Sequence, residues 1–181
     1  MIQRIQSIYL LLAFLALAAC FMFPTATFTA VGSDGIEVNG ELNLIPKADR
    51  EAQYYAQIEA GQPEVAMGQR GYVKTWPLVV FTLLAAVIAL VSIFLYGNRV
   101  RQMRIVAVGF LLGVVEVFLI FIWAIDAYVN SATAPPLQCT DVDVTYGVGT
   151  WCPIAAVVLM FLAQRAIKKD EAKVKAADRL R

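Results

Sequence analysis

The chain of 181 residues contains no histidine. Histidine is the commonest metal ligand and the usual proton carrier near neutral pH, so its absence excludes His-ligated haem and every Ser-His-Asp or Cys-His nucleophile. Only three cysteines occur, Cys20, Cys139 and Cys152, and no two are spaced as zinc ligands are. No Gly-rich loop closes with Lys-Ser or Lys-Thr to cradle phosphates. Charge is scarce too. Asp, Glu, Lys and Arg make up 16% of residues, where a soluble domain has about a quarter. The net charge of +1 leaves no basic face of the kind nucleic acid requires. These absences predict a protein that is not an enzyme, carries no cofactor or metal and binds no nucleic acid.

What the chain has instead is apolar surface: 60% of residues are hydrophobic and the mean hydropathy is +0.66. These residues gather into four runs, 5–23, 76–96, 105–129 and 150–167. A hydrocarbon core of about 30 Å needs about 20 such residues in helix. The first run is interrupted only by Gln6 and Ser7 and ends at Pro24. The second carries Pro77 in its first turn, where the missing N–H costs nothing, and has Trp76 and Tyr96 at its two ends, where amphipathic rings meet headgroups. The third is the longest, and the fourth opens with Trp151-Cys152-Pro153. The expected fold is an all-α membrane protein, a four-transmembrane-helix bundle.

Lys and Arg collect on cytoplasmic flanks. The segment 97–104 carries Arg99, Arg101 and Arg104 without an acid, and the tail 168–181 is rich in Lys and Arg, whereas 130–149 has Asp141 and Asp143 and no base. Both termini are therefore expected in the cytoplasm, with loops 24–75 and 130–149 outside. In the first loop, apolar and polar residues alternate around Asn39-Gly40, a strong hairpin signal, with a strand over 25–31 able to join through Gly32-Ser33-Asp34-Gly35. Residues 47–60 read as an amphipathic helix stopped by Gly61. Together these predict a small extracytoplasmic hairpin-plus-helix cap.

Glu116 stands eleven residues into the third run, about 16 Å deep and so near the bilayer midplane. An ionisable group at that depth marks a functional site by default, and desolvation there favours its neutral form. No run supplies a basic partner. Two readings stay open: a buried polar contact to a hydroxyl such as Thr82 or Ser92, or a proton-relay or substrate-binding group. Gly109 and Gly113 form a small-xxx-small pair that admits a close helix neighbour, within this chain or from a second copy. At 100° per residue they lie about 20° and about 60° from Glu116, so the carboxyl faces a helix contact. Asp126 reads as a solvated helix end.

Cys139 and Cys152 fall on the expected outer side, where an oxidising compartment permits a disulfide. A membrane thiol oxidoreductase is the sharper alternative, although no Cys-x-x-Cys is present. Leu17-Ala18-Ala19-Cys20 has the form of a lipobox, but Phe21-Met22-Phe23 continue the apolar run where a polar linker would follow, which favours an uncleaved first span.

The start, Met1-Ile2-Gln3-Arg4-Ile5-Gln6-Ser7 followed by Tyr9-Leu10-Leu11-Leu12, and the close, Ala166-Ile167-Lys168-Lys169-Asp170-Glu171 through Asp178-Arg179-Leu180-Arg181, resemble domain-of-unknown-function family 4293, small membrane proteins of Bacteroidetes-type bacteria. The resemblance implies an inner-membrane location and brings no activity. Arg4, Arg99, Arg101, Arg104, Arg179 and Arg181 would then face the inner surface, as contacts for lipid or a partner. The expected partners are the bilayer, an unidentified membrane or cytoplasmic protein, and a second copy of the chain. The function expected is that of a non-enzymatic structural or interaction component of an envelope complex. A transport or proton-coupling subunit centred on Glu116 is the alternative, with thiol oxidation third.

Overall fold

The structure is a computed structural model that describes residues 3–31, 37–45, 53–56, 75–133 and 141–179. It is mostly helical. Helices α1 (Gln3–Ala19), α2 (Trp76–Phe94), α3 (Arg99–Phe118), α4 (Ile125–Thr133) and α5 (Val148–Arg179) are accompanied by strands β1 (Ala26–Val31), β2 (Glu37–Leu42), β3 (Gln53–Ala56) and β4 (Asp141–Tyr146). A π-helical segment, Leu119–Ala124, joins α3 to α4. The chain forms two compact units, one of Met1–Ala19, Val80–Val117 and Trp151–Arg181, the other of Cys20–Val79 and Phe118–Thr150.

Among the described residues, three helical stretches are long and apolar enough to cross a membrane: Trp76–Gly97, Arg99–Ala127 and Val148–Val174. The apolar helix Ile5–Ala19 is shorter, because the chain turns at Cys20 rather than continuing to Phe23. Pro24 and Thr25 then lead directly into β1, and the Thr25 N–H donates to the Leu42 carbonyl at 2.8 Å.

In the helical unit, the buried core draws on α1 (Leu10, Ala13, Leu17), α2 (Ala85, Ala86, Ala89), α3 (Val106) and α5 (Ala156, Met160, Ala163, Ile167). Alanine predominates because small side chains let helix backbones approach, which is how helices associate where lipid is as apolar as the core. The outward faces are apolar as well: Leu111 and Val158 are 60% and 53% exposed, a distribution suited to hydrocarbon rather than water. Asn98 starts α3. Its Oδ1 accepts from the Arg101 N–H at 3.2 Å, as an N-cap side chain does. The Gln102 side-chain amide returns to the Ser92 carbonyl at 2.9 Å, satisfying an acceptor that the end of α2 leaves open.

The second unit holds a four-stranded antiparallel sheet in the order β3-β2-β1-β4, so the all-α expectation is corrected. Asn39-Gly40 is not a turn. It lies within β2, with Thr29 opposite Asn39 and Phe28 opposite Gly40. Pairing β1 with β2 over six residues forms more ladder bonds than folding 36–44 on itself would. Gly40 also stands in register between Phe28 and Tyr54, where a strand glycine permits close approach. The helix expected over 47–60 is replaced, where described, by β3, whose Tyr54-Tyr55 suit an extended backbone. The remainder of that stretch lies outside the described residues. Strand β4, read as plain loop, pairs with β1 from Ala26 opposite Tyr146 to Val31 opposite Asp141. Segments 24–75 and 130–149 thus contribute to one sheet.

Two glycines hold the beginning of α5 against the entry to β1. The Gly147 N–H donates to the Thr25 carbonyl at 2.8 Å and the Gly149 N–H to the Pro24 carbonyl at 2.9 Å. A Cβ on Gly147 would stand 2.3 Å from the Pro24 carbonyl oxygen, and one on Gly149 would stand 2.7 Å from that of Phe23. Backbone is packed on backbone there, and only glycine fits. The Thr150 hydroxyl also donates to the Thr25 carbonyl.

Candidate functional site

On α3 the buried residues are Gln102, Val106, Gly109, Gly113 and Glu116. Their steps of four and three keep them on one face, which turns towards α2 and α5. Glu116 is fully buried. The Thr82 hydroxyl of α2 donates to Glu116 Oε1 at 2.5 Å, while Oε2 is buried without a hydrogen-bond partner. Of the two hydroxyls considered from sequence, Thr82 supplies this contact. Ser92 instead donates to the Ile88 carbonyl one turn back, at 2.6 Å.

The glycine pair is consumed by packing inside the chain. A Cβ on Gly109 would lie 2.8 Å from Ile88 Cγ2 and 3.4 Å from Met160 Sδ, and one on Gly113 would lie 2.8 Å from Val157 Cγ2. Gly109 therefore touches both α2 and α5, and Gly113 touches α5. The carboxyl lies three residues on from Gly113, on the same buried face of α3. A hydrogen bond of this kind contributes about 1 kcal/mol net, whereas leaving a buried polar atom without it costs about 1–3 kcal/mol. The hydrogen bond is a polar clasp between α2 and α3.

A second buried polar contact escaped the sequence reading. The Gln6 side-chain amide of α1 donates to Asp170 Oδ2 of α5, and the two residues are 5% and 6% exposed. Its signal was present, since Asp170 follows Ala163 and Ile167 at steps of four and three and so shares their buried face. Gln102 could have been found by the same rule, standing seven residues before Gly109.

The other residues singled out from sequence are dispersed. Arg101 and Arg104 are exposed and Arg99 is half-buried. Arg4 lies in α1 and Arg179 ends α5, while Arg181 falls outside the described residues. Cys139 is also outside them, Cys152 is half-buried and Cys20 is buried. Asp126 is exposed and accepts from the Asn130 side-chain amide at 2.9 Å, one turn on along α4. Among the described residues, no three of His, Cys, Asp and Glu gather where they could hold a metal ion.

No curated protein matches the chain. The family described as Domain of unknown function (DUF4293) matches it over residues 2–180, nearly the whole length; the chain belongs to that family.

Proposed function

We propose that the chain is a four-span protein of the bacterial inner membrane, with both termini cytoplasmic, that serves as a non-enzymatic structural or interaction component of an envelope complex. Two arguments support the topology. Because β1 and β4 share a sheet, segments 24–75 and 130–149 belong on one side. Helices α2 and α3, joined by the tight turn at 95–98, then cross and return, and α5 crosses again. The basic residues of 97–104 and of the tail fall on the opposite side, in keeping with the charge rule. Helix α1 joins the same core, and its start meets Asp170 beyond the apolar centre of α5, which supports a fourth span.

The observation that carries the functional reading is the Glu116 contact. Its carboxyl is bonded to Thr82 inside glycine-tight packing, the environment of a helix clasp. A transport pathway would call for a second midplane ionisable group or a broken helix. The unpartnered Oε2 favours the alternative, a proton-coupling subunit in which that oxygen exchanges a proton. Glu116→Gln separates them, because the amide oxygen still accepts from Thr82. In sealed vesicles the clasp predicts equal decay of an imposed pH gradient with wild-type and Glu116→Gln protein, at the rate of empty vesicles. Decay accelerated by the wild type and abolished in a folded Glu116→Gln variant would establish proton coupling instead.

A further inference from the structure

We infer that the groove between α3 and α5 is a binding site for an anionic phospholipid, with Arg99, Arg165 and Lys168 taking the headgroup phosphate and Phe110 and Phe161 lining the path of an acyl chain. The two rings lie across the groove with centroids 6.1 Å apart and planes tilted by 43°. Phe161 is 48% exposed and Phe110 is half-buried, so the pair forms an open apolar wall.

The cations are placed by helix geometry. Gly109 meets Met160 and Gly113 meets Val157, so rising numbers on α3 go with falling numbers on α5 and the two helices are antiparallel. Continuing that register brings the first turns of α3 level with residues 165–171 of α5. At 100° per residue, Arg99 lies about 20° round α3 from Phe110, and Lys168 and Arg165 lie about 20° and about 40° round α5 from Phe161. Along the axes the three cations stand about 6–17 Å beyond the rings. That separation matches a phosphate at the interface and a chain passing below it.

Charge selects the occupant. Arg165 and Lys168 are exposed and Arg99 is half-buried. Of the acids at this end of α5, Asp170 is buried and engaged by Gln6, and Glu171 lies about 80° round from Phe161. The groove therefore presents positive charge above an apolar wall, the pairing that an anionic lipid complements and a zwitterionic one does not. The site rests on the membrane placement proposed above and goes beyond it by naming a ligand class and its contacts.

The test uses the full chain, extracted in mild detergent, exposed to mixed phosphatidylglycerol and phosphatidylcholine, and examined by native mass spectrometry. Wild type is expected to retain phosphatidylglycerol preferentially. Arg165→Ala combined with Lys168→Ala should weaken that preference about tenfold or more, and the charge-keeping pair Arg165→Lys with Lys168→Arg should preserve it. Arg101 and Arg104 lie about 180° and about 120° round α3 from Phe110 and are exposed, so Arg101→Ala combined with Arg104→Ala removes equal charge outside the groove and should leave the preference within about twofold. An equal loss in that control pair would overturn the site in favour of a diffuse basic surface. An unchanged preference in the double variant, or an acidic protein in place of lipid on the wild type, would overturn it too. Recovery of the chain from a soluble fraction without detergent is a separate result that removes the membrane placement itself.

Discussion

Gln6 near the start of α1 and Asp170 near the end of α5 share a buried hydrogen bond across 164 residues of sequence. They belong to the two terminal stretches that carry the family resemblance, so those stretches meet through a contact inside the helical unit. Neither residue has ready access to water, and removing either one takes this hydrogen bond from the other.

Gln6→Leu should therefore destabilise the helical unit by about 1–3 kcal/mol, the cost of leaving a buried acceptor without its donor. Adding Asp170→Leu should recover much of that loss, because two apolar groups need no partner. A thermal-unfolding double-mutant cycle in detergent measures both effects. Additive losses in the double variant would contradict the pairing.

Thr82→Val keeps the shape of the side chain and removes the hydroxyl that serves Glu116. A loss of about 1–3 kcal/mol is expected, against a smaller change for Glu116→Gln, which retains an acceptor. If the two variants unfold at the same temperature, the hydroxyl is not the partner that matters.

Gly113→Ala should destabilise by about 1–3 kcal/mol, since a new Cβ meets a β-branched side chain that can yield little. Gly97→Ala is the matched control, because nothing stands within 4 Å of a Cβ there. Equal thermal shifts in both variants would show that glycine flexibility, rather than close helix approach, governs the effect.

The helical unit was legible because its signals are local and periodic. The face of α3 reads directly from the spacing of Gly109, Gly113 and Glu116, and Thr82 was one of two hydroxyls within reach. The sheet was less legible because its pairing is not local. Asn39-Gly40 is a strong turn signal over four residues, yet β1 and β3 take the two edges of the strand that contains it, and the partner on the other edge of β1 comes from more than a hundred residues further on. The alternation Asp141-Val142-Asp143-Val144 is itself a strand signal, but it is short and stands in a segment that equally fits a plain connection between two apolar runs. Gly147 and Gly149 had no such signal, since the backbone they admit, Phe23 to Thr25, is equally distant in sequence.

Thr29 and Asp143 are directly opposed in the β1–β4 ladder and both are exposed. Opposed residues in an antiparallel pair have Cα atoms about 4.5–5.5 Å apart, within disulfide range. Thr29→Cys with Asp143→Cys should therefore cross-link on mild oxidation, read as a reducible mobility shift absent from either single variant. Failure to cross-link with both thiols reactive would break the argument that the two segments lie on one side of the membrane.

The most direct test of the central claim is native mass spectrometry of the tagged chain released from its own membranes in mild detergent. A component of an envelope complex should appear at fixed stoichiometry with a second, different protein, and Glu116→Gln should leave that assembly intact. A chain found alone or only with copies of itself, together with a proton flux that Glu116→Gln abolishes, would contradict the account.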